Sequence, residues 1–398
     1  MKIDFDVDWV REQFPALKND FIFMDNAGGS QTLKTVMDRI TEYLIDYDVQ
    51  LGASYKTSTL AEQKLNKAKI PLQEWINSNE TEELIIGSST TMLLRILSLC
   101  ISQNWQQGDE VIITNSDHEA NMAAWRDLEK KGIIVKTWKI NPSSFQLELS
   151  DLNQLISNRT QLVALTHTSN ILGTINPIKE ITAFVHQKNA LVCVDGVAFA
   201  PHRLIDVQNL NVDFYVFSTY KTFGPHQAIM FGKHHLLKEM NGINHAFIDS
   251  VPYKFQPGNL NYELSYSLAA IPQYIKAIGQ QNLSQGFELI ANYEQKLASK
   301  LLDYLNSKPE IKIIGEKVAD KDKRVSTLSF IHKNIKSDAI VEQVDGYNIG
   351  IRYGDFYAVE LIDDLGLRIN NGVVRVSLVH YNSINEVDLL IQAFENIF

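Results

Sequence analysis

The feature that most constrains this chain is an alternation of short apolar runs with longer helical patterns between about residues 80 and 260. Nearly continuous apolar runs of ~4–8 residues are typical of strands buried on both faces. Helical patterns separate them at 88–100 and around 178–188. The alternation predicts an α/β fold in which a mostly parallel sheet is covered by helices. The strands are predicted at 81–87, 108–114, 161–167, 190–195 and 213–218.

The pattern changes after about residue 260, where a long helical region precedes shorter strands and a final helix from about Ile384. This predicts a smaller α+β domain at the C-terminal end. The turn at 256–259 marks the best boundary. We therefore predict three parts. They are an N-terminal segment (1–20) packing on the small domain, a large α/β domain (21–258) and the small domain (259–398). The late strands are predicted at 311–314, 325–332, 350–353 and 373–378.

Charge and composition exclude some classes of partner. The 398 residues are 45% hydrophobic and 21% charged, which is ordinary for a globular protein with a large core. The net charge is −10, and no basic run is present. We therefore expect no nucleic-acid partner and no binding to anionic membranes.

The first residues and the cysteines indicate the compartment. Acidic residues interrupt the N-terminal stretch at once, which is unlike a signal peptide, and no apolar stretch approaches the ~18 residues of a membrane span. Only two cysteines, Cys100 and Cys193, are present. So few cysteines argue against a disulfide framework or a cysteine-rich metal site, and the His234–His235 pair is expected at the surface. We expect a cytoplasmic protein that holds no metal.

Polar side chains stand where the predicted strands end. Asn170 follows the strand at 161–167, Asp195 ends the next one, and Lys221 follows the strand at 213–218. Because the carboxyl ends of parallel strands meet at one edge of a sheet, these side chains are expected to face one pocket.

These residue types suit pyridoxal 5′-phosphate (PLP). Its aldehyde requires a lysine amine, and its ring nitrogen stays protonated against a buried carboxylate. Its phosphate requires hydroxyl groups and a helix N-terminus, which the run Ser88–Thr91 supplies. His118 could stack on the ring, and Asn170 could donate a hydrogen bond to its 3′ oxygen. A dinucleotide site is not indicated, because the first strand-to-helix turn lacks the G-x-G-x-x-G pattern.

At these residues the chain resembles the class V aminotransferase group of fold type I PLP enzymes, and most closely the cysteine desulfurase–selenocysteine lyase branch. The resemblance covers about residues 20–380 in order. The stretches that carry it are Phe23–Ala27, Ser116–Asn121, His167–Thr174, Val194–Gly196, Asp213–Ser218 with Lys221 and Gly224–Pro225, and Val374–Leu378.

The resemblance implies a role for each matching residue. Lys221 would form the Schiff base, Asp195 would face the ring nitrogen, and His118 would stack on the ring; these are the expected catalytic residues. Arg375 would grip the substrate carboxylate, for which a bidentate guanidinium is suited. The other cofactor contacts implied are Ser89, Thr90, Asn170, Ser218, Tyr220 and Asn259. The other substrate contacts expected are Asn26, Tyr55 and Arg352.

Family members are typically homodimers with shared active sites. In them the turn matching Gly258–Asn259 reaches the phosphate of the partner. The same arrangement is therefore expected here.

Three departures bear on function. Cysteine desulfurases carry a catalytic cysteine on a loop that matches 350–358, and this stretch contains none. Ala198 stands where the family often has glutamine, and Tyr220 where it usually has histidine. The run 194–203 instead resembles a desulfurase-like subgroup that includes C–S lyases of the ergothioneine type.

The resemblance leaves several functions open. The first is a lyase that breaks the C–S bond of cysteine or an S-substituted cysteine, with Tyr353, Asp355 or Tyr357 as a candidate acid. The second is an aminotransferase or epimerase with the same residues. The third is a catalytically weak PLP-binding partner in a sulfur pathway.

Overall fold

The computed structural model describes residues 4–398 and contains two main sheets. The helices, α1 to α15 in chain order, are Val7–Glu12, Lys34–Asp46, Lys56–Ile76, Thr90–Ile101, Glu119–Arg126, Leu149–Leu155, Ile178–His186, Val207–Leu210, His234–Glu239, Tyr262–Ser267, Ala270–Ile278, Leu283–Ser307, Ser337–Asp345, Val359–Asp364 and Ile384–Glu395. The strands, β1 to β13, are Ile22–Phe23, Leu84–Gly87, Glu110–Thr114, Ile134–Trp138, Thr160–Thr166, Leu191–Asp195, Phe214–Ser218, Ala228–Gly232, Ile311–Ile314, Thr327–His332, Ile349–Gly350, Arg352–Gly354 and Val373–Ser377.

The larger sheet has seven strands in the order β2-β8-β7-β6-β5-β3-β4. β8 runs antiparallel to β2 and β7, and the other neighbours are parallel. Two clusters of buried apolar side chains cover the two faces of this sheet. The predicted α/β fold with a mostly parallel, helix-covered sheet is therefore confirmed.

Register within this sheet aligns the strand ends that carry polar side chains. Thr166 of β5 pairs with Asp195 of β6, and Asp195 pairs with Val216 of β7. The chain then turns at Thr219–Lys221 in one turn of 3₁₀ helix. The ends of three adjacent strands thus open on one space.

The smaller sheet has four antiparallel strands in the order β12-β13-β10-β9. α12, α13 and α15 cover it with a third apolar cluster. The N-terminal strand β1 runs parallel to β11, and Asp25 forms a single bridge with Ser377. Segments from both ends of the chain therefore meet beside this sheet.

The N-terminal segment lies between the two sheets. Phe5 stacks on Tyr293 with ring centroids 4.4 Å apart, and Arg11 pairs with Glu386 at 2.8 Å. Phe14 instead packs edge-on against Phe223 of the large-sheet region, at 5.7 Å. Helices α10 and α11 pack against α2, although they follow the predicted boundary at 258. The domain boundaries remain a prediction.

Two strands of the large sheet were not predicted. β4 is an edge strand whose side chains include the partly buried polar residues Lys136 and Thr137, so it lacks the apolar run of a central strand. β8 is fully buried but follows Lys221 so closely that its sequence reads as part of one continuous segment. The predicted strand at 81–87 begins only at Leu84, because a capping box between Glu80 and Glu83 holds the preceding residues in a 3₁₀ turn.

Across residues 4–398, no helix has both the length and the apolar character that crossing a bilayer requires.

Candidate active site

A pocket lies at the carboxyl ends of β5, β6 and β7, where ligands bind in open α/β sheets. Eight of the residues predicted for one site line it together. The lining residues are Ser89, Thr90, Thr91, His118, Ala120, Thr166, Thr168, Asn170, Asp195, Val197, Ala198, Ser218, Tyr220 and Lys221.

Lys221 is buried at the base of the pocket, at the end of the 3₁₀ turn that follows β7. Burial lowers the pKa of its amine to about 8; the charge of Arg375 also lowers it, while Asp195 and Asp25 oppose the shift. A lysine with this pKa is partly neutral near neutral pH, and only the neutral amine is a nucleophile.

Asp195 ends β6 and is almost fully buried. Its Oδ1 accepts a hydrogen bond of 2.8 Å from the backbone N–H of Val197. Burial raises the pKa of the carboxyl to about 6, against the lowering effect of that N–H and of Lys221. The group is poised to receive a cation such as a protonated ring nitrogen, because its charge is poorly compensated within this chain.

His118 occupies the N-cap of α5, and its Nδ1 accepts a hydrogen bond of 3.0 Å from Ala120 N–H. Burial, together with the nearby charges of Lys221 and Arg375, lowers the pKa of the imidazole to about 4. The ring is therefore neutral and carries its proton on Nε2. A neutral aromatic ring can lie against a cofactor ring without adding charge to the site.

The hydroxyl groups of the pocket gather at the N-terminus of α4. Ser89 caps this helix by accepting from Met92 N–H at 3.2 Å, and Thr90 Oγ1 lies 2.7 Å from Ser218 Oγ. Tyr220 lies beside them and stacks on the exposed His226 with ring centroids 4.7 Å apart. Hydroxyls at a helix N-terminus form the kind of site that binds phosphate.

Arg375 lies in β13 beside the pocket and is 2% exposed. Its Nη2 donates to Asp25 at 2.6 Å and its Nη1 to the carbonyl of Asn170 at 3.2 Å, while Nε has no partner. Arg352 Nη1 lies 3.9 Å from the same Asp25 carboxylate. Two guanidinium groups thus share one carboxylate, which leaves a net positive charge for an anion.

The remaining predicted residues lie elsewhere in this chain. Asn26 is buried, and its amide bonds the carbonyls of Phe23 and Ser377, while its Oδ1 accepts from Tyr381. These contacts fasten the N-terminal strand and leave the predicted substrate contact without support. Tyr55 is half exposed at the start of α3, and Asn259 bonds Gln50 at 3.0 Å in a separate surface cavity. The roles of all these residues remain predictions.

Several residues of the site were not found from sequence. Asp25 lies in the stretch Phe23–Ala27, yet no sequence pattern ties it to Arg375, which is 350 positions away. Thr166 and Thr168 flank the strand end before Asn170 and were detectable from that position. The burial of Asp117 next to this edge had no sequence marker.

The donor set of the pocket fits PLP. Lysine amine, buried carboxylate, neutral imidazole and a hydroxyl cluster at a helix N-terminus occur in one cavity. The Oδ1 of Asn170 and the Oγ1 of Thr168 are buried and have no hydrogen-bond partner within the chain. The pocket wall can therefore form further hydrogen bonds with a ligand. Asn170 Nδ2 donates one of its two N–H groups to the carbonyl of Phe356 at 2.9 Å, so the second N–H is the one left for the predicted bond to the 3′ oxygen.

The chain belongs to the class V aminotransferase family, since the family profile described as "Aminotransferase class-V" matches residues 22–390. It is therefore a PLP-dependent enzyme of cysteine desulfurase-like type. It is 43% identical to "Aminotransferase-like protein FGM3" of Gibberella zeae, over 98% of both chains. It is 33% identical to "Cysteine desulfurase-like protein ustD" of Aspergillus flavus, over 96% of this chain and 88% of that one.

Solved structures of cysteine desulfurases have a similar fold. The apo structure of the cysteine desulfurase from Thermococcus onnurineus NA1 superposes with a TM-score of 0.90. The match covers 100% of this chain and 98% of that one at 24% identity. The predicted family, fold type and cofactor are confirmed.

Proposed function

We propose that the chain is a PLP-dependent C–S lyase acting on cysteine or an S-substituted cysteine. The observation that carries this proposal is an amino-acid site with no accessible thiol. Cys100 and Cys193 are both buried, and burial raises the pKa of Cys100 to about 11 and that of Cys193 well above its usual value. Neither can act as a sulfur acceptor, because only an accessible thiolate is nucleophilic. The sulfur must then leave as a small molecule.

The polar residues of the pocket can each be given a role in such a reaction. Lys221 would hold the cofactor aldehyde through its amine, and Asp195 would hold the ring nitrogen. His118 would cover one ring face, and the hydroxyls of Ser89, Thr90 and Ser218 would hold the phosphate. When bound, PLP supplies an electron sink for the α-carbon of an amino acid.

Substrate orientation would depend on Arg375. Its buried guanidinium would fix the α-carboxylate, so that the α-proton faces the Lys221 amine, which removes it. Loss of the sulfur group and hydrolysis then give pyruvate, ammonia and a thiol. Of the three candidate acids, Tyr357 contacts a pocket residue, with its ring centroid 5.3 Å from that of His118.

A transaminase is the second candidate, favoured by the 43% identity to an aminotransferase-like protein. Epimerisation would use the same residues. A protein that binds PLP with little activity is the third possibility and requires no intact carboxylate site. We also propose a cytoplasmic location, supported by two buried cysteines that are not paired.

The decisive experiment loads purified protein with PLP and records its visible absorption. Lys221→Ala should abolish the band near ~420 nm that a PLP–lysine link gives. The matched control is Lys254→Met, because Lys254 is also buried but its amine donates to the carbonyl of Lys238 outside the pocket. Retention of the band in Lys221→Ala would reject Lys221 as the anchor.

The same loaded protein then decides between the activities. With L-cysteine or S-methyl-L-cysteine, a lyase should release pyruvate and ammonia in equal amounts, with a thiol or sulfide. Accumulation of pyridoxamine phosphate without pyruvate would instead establish transamination. Absence of both, from a protein with a normal band, would leave the binding-only function.

A further inference from the structure

The segment 354–358 contacts residues of the pocket and has an unusual backbone. Phe356 and Tyr357 have φ of 52° and 60°, and Gly354 has φ of 129°. Two successive non-glycine residues in the left-handed region are costly, and such conformations persist where surrounding contacts impose them. The contacts of these two residues therefore indicate what the segment is built to hold.

Both residues are fastened to groups of the pocket. The carbonyl of Phe356 accepts from Asn170 Nδ2 at 2.9 Å, and the carbonyl of Tyr357 accepts from the N–H of Glu119 at 2.7 Å. Glu119 is the first residue of α5, directly after His118. The segment thus joins the small-sheet region to two predicted cofactor contacts.

The side chain of Phe356 meets the predicted carboxylate-binding group. The Arg375 guanidinium carbon lies 3.7 Å from the centroid of the Phe356 ring, over its face. Phe356 is 8% exposed and Arg375 is 2% exposed. A cation held on an aromatic face away from water gains more than at an exposed site.

Few other contacts fix the plane of this guanidinium. Nη2 is bound to Asp25, Nη1 has one long bond to a carbonyl, and Nε has none. A carboxylate that binds in bidentate fashion requires two N–H groups in its own plane. Rotation of the guanidinium would remove one of them.

We propose that Phe356 is a positioning residue that holds the Arg375 guanidinium in the plane that receives the substrate carboxylate. The inference rests on the proposed function, in which Arg375 binds that group. Phe356 itself does not touch the reacting atoms. Its left-handed backbone places the ring under the guanidinium, and its carbonyl fixes the neighbouring Asn170.

The test measures how strongly the loaded protein prefers a carboxylate. PLP-loaded protein is titrated with S-methyl-L-cysteine and with 2-(methylthio)ethylamine, which lacks the carboxylate. The initial change of the visible band on rapid mixing, before product forms, gives both dissociation constants. Their ratio is the carboxylate preference. Phe356→Leu should lower this ratio on the order of tenfold, because the cation–π contact is lost while an apolar side chain remains. Phe356→Tyr keeps an aromatic face and should retain the ratio.

Two further variants separate the possible failures. Arg375→Lys should remove most of the preference; if it does not, the proposed carboxylate site is wrong and the proposed function falls with it. If Arg375→Lys removes the preference and Phe356→Leu leaves it unchanged, only the role of Phe356 is overturned. If Phe356→Leu weakened the binding of both ligands equally, the proposed role of Phe356 would also be overturned. An equal loss is expected of a residue that only supports the structure. Phe356→Met allows the same comparison if the leucine variant does not load. Phe330→Leu is the matched control, because Phe330 is also a buried aromatic residue but its ring packs against Phe394 in the small-sheet region.

Discussion

Two buried carboxylates occupy the deep edge of the site. Asp117 accepts hydrogen bonds from Thr114 and from Asn121 Nδ2, the latter at 2.7 Å. It also accepts one from the backbone of Thr166, the residue paired in register with Asp195. Burial and the charge of Asp195 together raise the pKa of Asp117 to about 7, against the lowering effect of these donors. Each carboxylate thus makes ionisation of the other more costly.

This pair predicts a pH dependence of stability in the cofactor-free protein. The unfolded chain releases the proton of Asp117 near pH 4, whereas the folded chain keeps it until about pH 7. Stability from this group is therefore complete below about pH 4 and is lost as the pH rises to about 7. Asp117→Asn should flatten the fall in the urea midpoint between about pH 4 and about pH 7. The asparagine can still bond Thr114 and Asn121, so an unchanged slope would show that Asp117 does not hold its proton.

At the scale of single residues, the sequence predicted which side chains lie together in the pocket, and their roles there remain predictions. Lys221, Asp195, Asn170 and the hydroxyls of α4 follow strands whose apolar runs are unmistakable, so their common edge could be inferred. Asp25 and Phe356 could not be inferred, because their importance lies in contacts with Arg375 across the fold. Asn26 stands in a recognised stretch, yet its side chain is used within the fold.

Among the elements, the turn after Asn170 connects the two sheets. Gly173 has φ of +68°, and a Cβ there would lie 2.3 Å from the carbonyl oxygen of Thr327 in β10. Gly366 also has φ of +68°, but a Cβ there would meet nothing within 4 Å. The two glycines have the same φ and differ in the space around them.

This pair gives a matched test of packing between the sheets. Gly366→Ala should cost about 1 kcal/mol of unfolding free energy, from the left-handed backbone alone. Gly173→Ala should cost about 1–3 kcal/mol more, because the backbone of β10 must move. Urea denaturation of both variants measures the difference. Equal losses would mean that the turn and β10 separate at little cost.

Elements with long apolar or helical patterns were predicted within a few residues, including α4, β6, β7 and β9. The predicted helical region at 262–305 is in fact three helices, α10, α11 and α12. The breaks fall at Leu268–Ala269 and at Gly279–Asn282, and the second contains two positive-φ glutamines, Gln280 and Gln281, which no propensity rule predicts. The positions of such helix breaks depend on tertiary contacts and not on local sequence.

For the whole molecule we predict a homodimer of about twice the 45.2 kDa chain mass. Asn259 lies outside the pocket of its own chain, as a residue that completes the site of a partner would. Asn259→Ala should weaken PLP binding about tenfold through one lost phosphate contact. Sedimentation gives the mass, and absorption titration gives the affinity.

Mixing variants tests whether the site is shared. Hybrid dimers of Lys221→Ala chains with Asn259→Ala chains contain one intact site if Asn259 acts across the interface. They contain none if it acts within its own chain. Tight PLP binding at one site per hybrid is the expected result, and its absence would place Asn259 outside the partner's site.

The pairing of Asp25 with Arg375 has a consequence for biosynthesis. During translation, the strands that carry Asp195 and Lys221, up to the end of β8, are synthesised long before residue 377. The N-terminal strand must meanwhile wait for partners that have not been translated, because Arg375 and Ser377 lie near the end of the chain. A nascent or prematurely terminated polypeptide would therefore contain Lys221, which is proposed to bind the cofactor. It would lack Arg375, which is proposed to bind the carboxylate of the amino acid.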